Sequence, residues 1–87
     1  MKKLYTIRFG TSAGRTLQKL DLSWQVRISR AINALAENPF PLGARKLKGE
    51  ERSYRIRIGD HRVVYDVLQD VVVVLILRIG HRKDVYR

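Results

Sequence analysis

The 87-residue chain contains no cysteine, which excludes disulfides, thiolate nucleophiles and cysteine-bearing zinc sites, and leaves stability to packing. Histidine is scarce as well. His61 and His81 are the only two, and with eight acidic residues in all they offer an incomplete ligand set, so no metal and no other cofactor is expected. Long apolar runs are also missing. The longest, residues 71–77, falls far short of a bilayer span, and the basic start Met1-Lys2-Lys3 leads into an alternating stretch unlike a signal peptide. A soluble cytoplasmic protein with no membrane partner is the expectation. The shortage of acids is matched by eighteen Lys and Arg, which give a formal charge of +10. Such an excess on one small surface points to a polyanionic partner, nucleic acid or acidic protein. With 45% hydrophobic and 30% charged residues the chain has enough apolar material to fold, and it is too short for two cores, so residues 1–87 are expected to form a single domain.

Periodicity supplies the elements. Residues 4–9 alternate, with Tyr5, Ile7 and Phe9 on one side and Thr6 and Arg8 on the other, as in a half-buried strand. A short helix is predicted over 12–20, where Leu17 and Leu20 share a face and Gly14 weakens the pattern. Asp21 or Ser23 can cap a second helix, in which Ile28, Ala31, Ile32, Leu35 and Ala36 recur at helical spacing up to Asn38-Pro39. Residues 39–49 hold two prolines and two glycines among basic residues and read as an irregular connection. Segments 54–58, 62–68 and 71–79 are rich in Val, Ile and Tyr and separated by short turns, which predicts an antiparallel meander. The order β-α-α-β-β-β gives an α+β, two-layer sandwich with a mainly antiparallel sheet and a helical hairpin on one face.

The charges then acquire positions. If Tyr54, Ile56 and Ile58 face the helices, Arg55 and Arg57 emerge together on the uncovered face, about 7 Å apart. Arg62, Val64 and Asp66 alternate against His61, Val63, Tyr65 and Val67, and Arg62 is placed beside Arg55 and Arg57 because burying an unpaired guanidinium under the helices is costly. The C-terminal stretch Arg78-Ile79-Gly80-His81-Arg82-Lys83-Asp84-Val85-Tyr86-Arg87 adds a histidine, further cations and an aromatic ring. Together these residues can line a groove where guanidinium groups bind phosphates and Tyr86 stacks on a base, with Arg45, Lys46 and Lys48 of the connection as further cations. Plainer roles compete. Paired strand arginines also protect a sheet face from aggregation, Arg62 has Asp60 and Asp66 as candidate ion-pair partners, His61 reads as a solvated turn residue, and Trp24 reads as a packing anchor between helix and sheet.

The segment Ser53-Tyr54-Arg55-Ile56-Arg57-Ile58-Gly59-Asp60-His61-Arg62-Val63-Val64-Tyr65, with Gly80-His81-Arg82-Lys83-Asp84-Val85-Tyr86, resembles the RelE branch of the RelE/ParE toxin superfamily. The resemblance covers nearly the whole chain. It implies the toxin of a type II toxin-antitoxin system: a metal-independent, ribosome-dependent endoribonuclease that cuts mRNA in the A site of the 70S ribosome and is neutralised in a hetero-oligomer with a RelB-type antitoxin. By the same resemblance Arg55 and Arg57 form the basic strand pair, Arg62 binds phosphate, Arg82 is a second catalytic arginine and Tyr86 stacks; Lys83, with Arg45, Lys46 and Lys48, is a further candidate for binding substrate. The implied reaction is attack of an RNA 2′-hydroxyl on the adjacent phosphate, with charge on the phosphorane stabilised by cations. Some members carry lysine where this chain has Arg55 and Arg57, and an arginine does not give up its proton. The base is therefore open between His81 and Tyr86, unless orientation and charge stabilisation suffice. The competing expectations are a ParE-like inhibitor of DNA gyrase and a non-catalytic RNA-binding module.

Overall fold

A computed structural model describes residues 4–81. Its elements are β1 (Thr6–Phe9), α1 (Thr11–Lys19), α2 (Leu22–Ala34), β2 (Arg45–Lys46), β3 (Ser53–Ile58), β4 (His61–Leu68) and β5 (Val73–His81). The strands make one sheet in the order β1-β5-β4-β3-β2. β1 runs parallel to β5, and the other neighbours are antiparallel. The two helices cover one face, as expected of the α+β class read from the sequence.

Alternation decides which side chains meet the helices. Ile56 of β3, Val63, Tyr65 and Val67 of β4, and Val74, Ile76 and Ile79 of β5 pack with Ala13, Ile28, Ile32 and Leu35 into one buried cluster. Trp24, Tyr54 and Ile58 close its edges. Tyr65 is fully buried, and its hydroxyl donates to the Pro39 carbonyl at 2.8 Å. Burial, helped by the neighbouring Tyr54, raises the pKa of this phenol and keeps it a donor. The bond ties the start of the connection after α2 to the central strand.

One irregularity interrupts the pairing of β4 with β5. Val64 of β4 faces Arg78 of β5, but the next residue, Tyr65, faces Ile76, so Leu77 is an extra residue in the ladder. This bulge shifts the phase of β5 by one. Ile76 and Ile79, three apart, both reach the core, and Arg78 and Gly80 turn to the opposite face.

Several boundaries differ from those predicted. β5 begins at Val73 because Val71 and Val72 form the turn, Val72 with φ of +57° in the left-handed region. α2 ends at Ala34, where Leu35 and Ala36 donate to carbonyls three residues back and tighten the last turn. Asp21 is the N-cap residue, but its side chain makes no capping bond. The segment 39–49 is not wholly irregular: Arg45 and Lys46 pair with Arg55 and Tyr54 as an edge strand. His61 is no solvated turn residue either, since it opens β4 and its ring lies 4.3 Å from Trp24.

Gly59 makes the β3–β4 turn with φ of +60°, and a Cβ there would come within 2.6 Å of Trp24 Cη2. Gly49, at φ of +81°, has nothing within 4 Å of such an atom. Gly49→Ala is expected to destabilise by about 1 kcal/mol through backbone strain alone. Gly59→Ala adds overpacking and is expected to lose about 2 to 4 kcal/mol in denaturant unfolding. Equal losses would show that Trp24 yields its place freely.

Candidate nucleic-acid interface

On the face away from the helices, register aligns cations in two rows across the strands. One row reads Arg45, Arg55, Val64, Arg78 from β2 to β5. The next reads Arg57, Arg62, Gly80. Strand spacing separates neighbours in a row by about 4.8 Å at the backbone, and the rows lie about 7 Å apart. Arg45, Arg55 and Arg57, with Leu42, Gly43 and Ile56, line an open cavity of about 460 Å³.

Arg62 is the unusual member. It is only 6% exposed, and its Nε and Nη1 atoms have no hydrogen-bond partner among the described residues. A guanidinium carries five donors and no acceptor, so a desolvated one without partners is unfavourable until an anion arrives. Of the two acids considered for it, Asp66 is engaged elsewhere. Asp66 accepts from Ser53 Oγ, and Arg52 Nε stands 3.7 Å from its other oxygen. The simple ion pair between Arg62 and Asp66 is therefore not made. A planar acceptor such as a carboxylate or phosphate matches what Arg62 leaves open, and phosphate also suits the surrounding charge.

The predicted site residues divide. Arg45, Arg55, Arg57 and Arg62 share the open face. Lys46 pairs with Tyr54 and so takes the opposite side, whereas Lys48 sits in the turn closed by the Leu47 N–H bond to the Ser53 carbonyl. His81 is paired with His61, their ring centroids 6.1 Å apart, and His61 packs on Trp24 of α2. The register thus sets His81 on the helix side, away from the arginines it was expected to join, because the bulge reverses the phase of β5. Arg82, Lys83 and Tyr86 lie outside the described residues. Arg78 was not singled out, because residues 71–77 are apolar throughout and the sequence carries no sign of the phase change that turns it outward.

At the helix-side end of the sheet, His61 has a buried Nδ1 atom without a hydrogen-bond partner among the described residues, and Arg27 lies 4.4 Å over the Trp24 ring. Burial chiefly lowers the His61 pKa, with His81 and Arg27 adding repulsion and Asp60 opposing them. Among the described residues no group of three or more His, Asp or Glu gathers in a way that could hold a metal ion. No helix among them is long and apolar enough to cross a membrane.

The sequence and the two-layer α+β fold have counterparts among known proteins. The model of the family described as the ParE toxin of type II toxin-antitoxin systems matches residues 5–86. Toxin RelG of Mycobacterium tuberculosis is 32% identical over 84 residues, covering 95% of this chain and 97% of the relative. The toxin-antitoxin complex RelBE2 from the same organism contains a chain 31% identical with a TM-score of 0.78, covering 91% of this chain and 99% of that one. The archaeal RelE-RelB complex of Pyrococcus horikoshii OT3 contains one 28% identical with a TM-score of 0.81, covering 97% and 99%. The chain belongs to the RelE/ParE superfamily and is a type II toxin of the RelE family.

A His61 pKa held below its ordinary value of 6.5 means that the unfolded chain takes up a proton at higher pH than the folded one. Stability is therefore expected to fall as pH drops from about 6.5 toward the lowered value, above the range where carboxylates titrate. Thermal unfolding at pH 7.5 and 5.5 checks this: His61→Gln is expected to flatten the dependence. An unchanged slope in that variant would remove His61 as its source.

Proposed function

We propose that this toxin is an endoribonuclease that cuts mRNA in the A site of the 70S ribosome and thereby halts translation. The observation that carries the reading is Arg62, buried between Arg57 and Gly80 on the open sheet face with its Nε and Nη1 atoms lacking a hydrogen-bond partner among the described residues. When the RNA 2′-hydroxyl attacks the adjacent phosphate, negative charge builds on the phosphorane oxygens, and the bond to the 5′-oxygen breaks to leave a 2′,3′-cyclic phosphate and a 5′-hydroxyl. Arg62 N–H groups already stripped of water stabilise that charge without reorganising, which is where a fixed donor is most effective. Arg45, Arg55 and Arg57 hold the backbone in register. Arg82 acts as second stabiliser and assists the leaving oxygen, and Tyr86 stacks on a base, as the family resemblance implies. Arginines do not accept the 2′-hydroxyl proton. With His81 across the sheet, Tyr86 is the better titratable candidate, and orientation of the RNA by toxin and ribosome supplies much of the remaining rate.

The reading includes a partner. Two of the solved relatives are toxin-antitoxin complexes, RelBE2 and the archaeal RelE-RelB, and a chain of charge +10 suits an antitoxin segment that offers carboxylates. The complex is expected to loosen as salt rises, and affinity independent of ionic strength would count against this electrostatic share. Action on ribosomes places the protein in the cytoplasm.

Translating ribosomes incubated with the purified toxin are expected to yield message ends within A-site codons. Arg62→Met is expected to slow cleavage about 100-fold or more. Its unfolding free energy should stay level or rise by about 1 to 3 kcal/mol, because an apolar chain of similar length replaces a desolvated charge. Cleavage retained in that variant would remove Arg62 from the chemistry. The ParE description of the matching family model supports a second reading, inhibition of DNA gyrase. Intact message together with gyrase-dependent DNA breaks would favour it.

A further inference from the structure

We propose that Arg78 is an RNA-backbone contact, gripping a phosphate that neighbours the one at Arg62; the inference rests on the RNA-cleavage reading. In an unbroken strand Arg78 would share a face with Ile76 and point under the helices. The extra residue Leu77 turns it outward, and Arg78 is exposed opposite Val64. Bulges re-aim side chains in this way beside functional sites.

Its place relative to Arg62 is what suggests the role. Arg62 is paired with Arg57 on one side and with Gly80 on the other. Two residues back along those partner strands stand Arg55 and Arg78, both in the row centred on Val64. Each is a diagonal neighbour of Arg62, about 7 to 8 Å away at the backbone. The buried guanidinium is thus flanked by two others, one on β3 and one on β5, with an apolar residue between them. Gly80 leaves the β5 position directly beside Arg62 without a side chain. A single phosphate needs only one or two of these cations. A strand with one phosphate at Arg62 carries its adjoining phosphates away on either side, and Arg55 and Arg78 stand where two such continuations pass. Carboxylate ligands lack that repeat of charge along a chain, so the arrangement fits a nucleic-acid backbone best.

The test compares wild type, Arg78→Gln, Arg78→Lys and Arg30→Ala in cleavage of message on programmed ribosomes. Arg30 is an exposed cation on α2 and controls for net charge. Arg78→Gln keeps part of the stem and is expected to raise the half-saturating ribosome concentration about tenfold, with the limiting rate changed less than about threefold. Its dependence of log affinity on log salt should weaken by about one unit. Arg78→Lys should recover to within about threefold of wild type, and Arg30→Ala should match wild type; thermal unfolding midpoints confirm that all four are folded. Arg78→Gln behaving as wild type, or Arg30→Ala losing as much as Arg78→Gln, overturns the assignment while leaving the nuclease reading intact. Message left whole by the wild-type toxin overturns both.

Discussion

The pairing of β3, β4 and β5 in one register decides what each face of the sheet can do. The helix side is sealed by Ile56, Val63, Tyr65, Ile76 and Ile79. A slip of one residue in any of these strands would move that set outward and carry arginines under the helices, an exchange that hydrophobic burial and guanidinium desolvation both oppose. The core therefore fixes the cationic face indirectly: strands are locked by what they bury, and the arginines are aimed by what is left over.

That arrangement explains how an unfavourable feature persists. Arg62 is buried with two nitrogens unpartnered among the described residues, while the nearby Asp66 carboxylate on the same strand is bound by Ser53 and Arg52. The stability lost at Arg62 is held against a core in which Tyr65, Ile28, Ile32 and Leu35 are fully buried. Tension of this kind between folding and a preformed anion site is common where function depends on charge.

Much of this is legible in the sequence. Strict alternation in Tyr54-Arg55-Ile56-Arg57-Ile58 assigns both faces of β3, and the cost of a lone buried cation beneath the helices put Arg62 on the face of that pair, although its neighbours bury it there all the same. The helices followed from apolar spacing. What escaped was phase. Residues 71–77 are apolar without interruption, so they carry no alternation from which a register or a bulge can be read, and the side taken by Arg78, Gly80 and His81 stayed hidden. β2 escaped for a different reason: two basic residues between glycines have no strand signature of their own, and only the neighbouring edge of β3 draws them into the sheet.

The strand order has a temporal consequence. β5 lies between β1 and β4, so the first strand of the chain finds its neighbour only when the last one is available. Helices and the β3–β4 and β4–β5 hairpins can form locally as synthesis proceeds, but the parallel β1–β5 seam at one edge of the sheet waits on contacts between distant parts of the sequence. The strands that carry the arginines can thus assemble from neighbouring hairpins, and the parallel strand that completes the sheet is the part left to a long-range search.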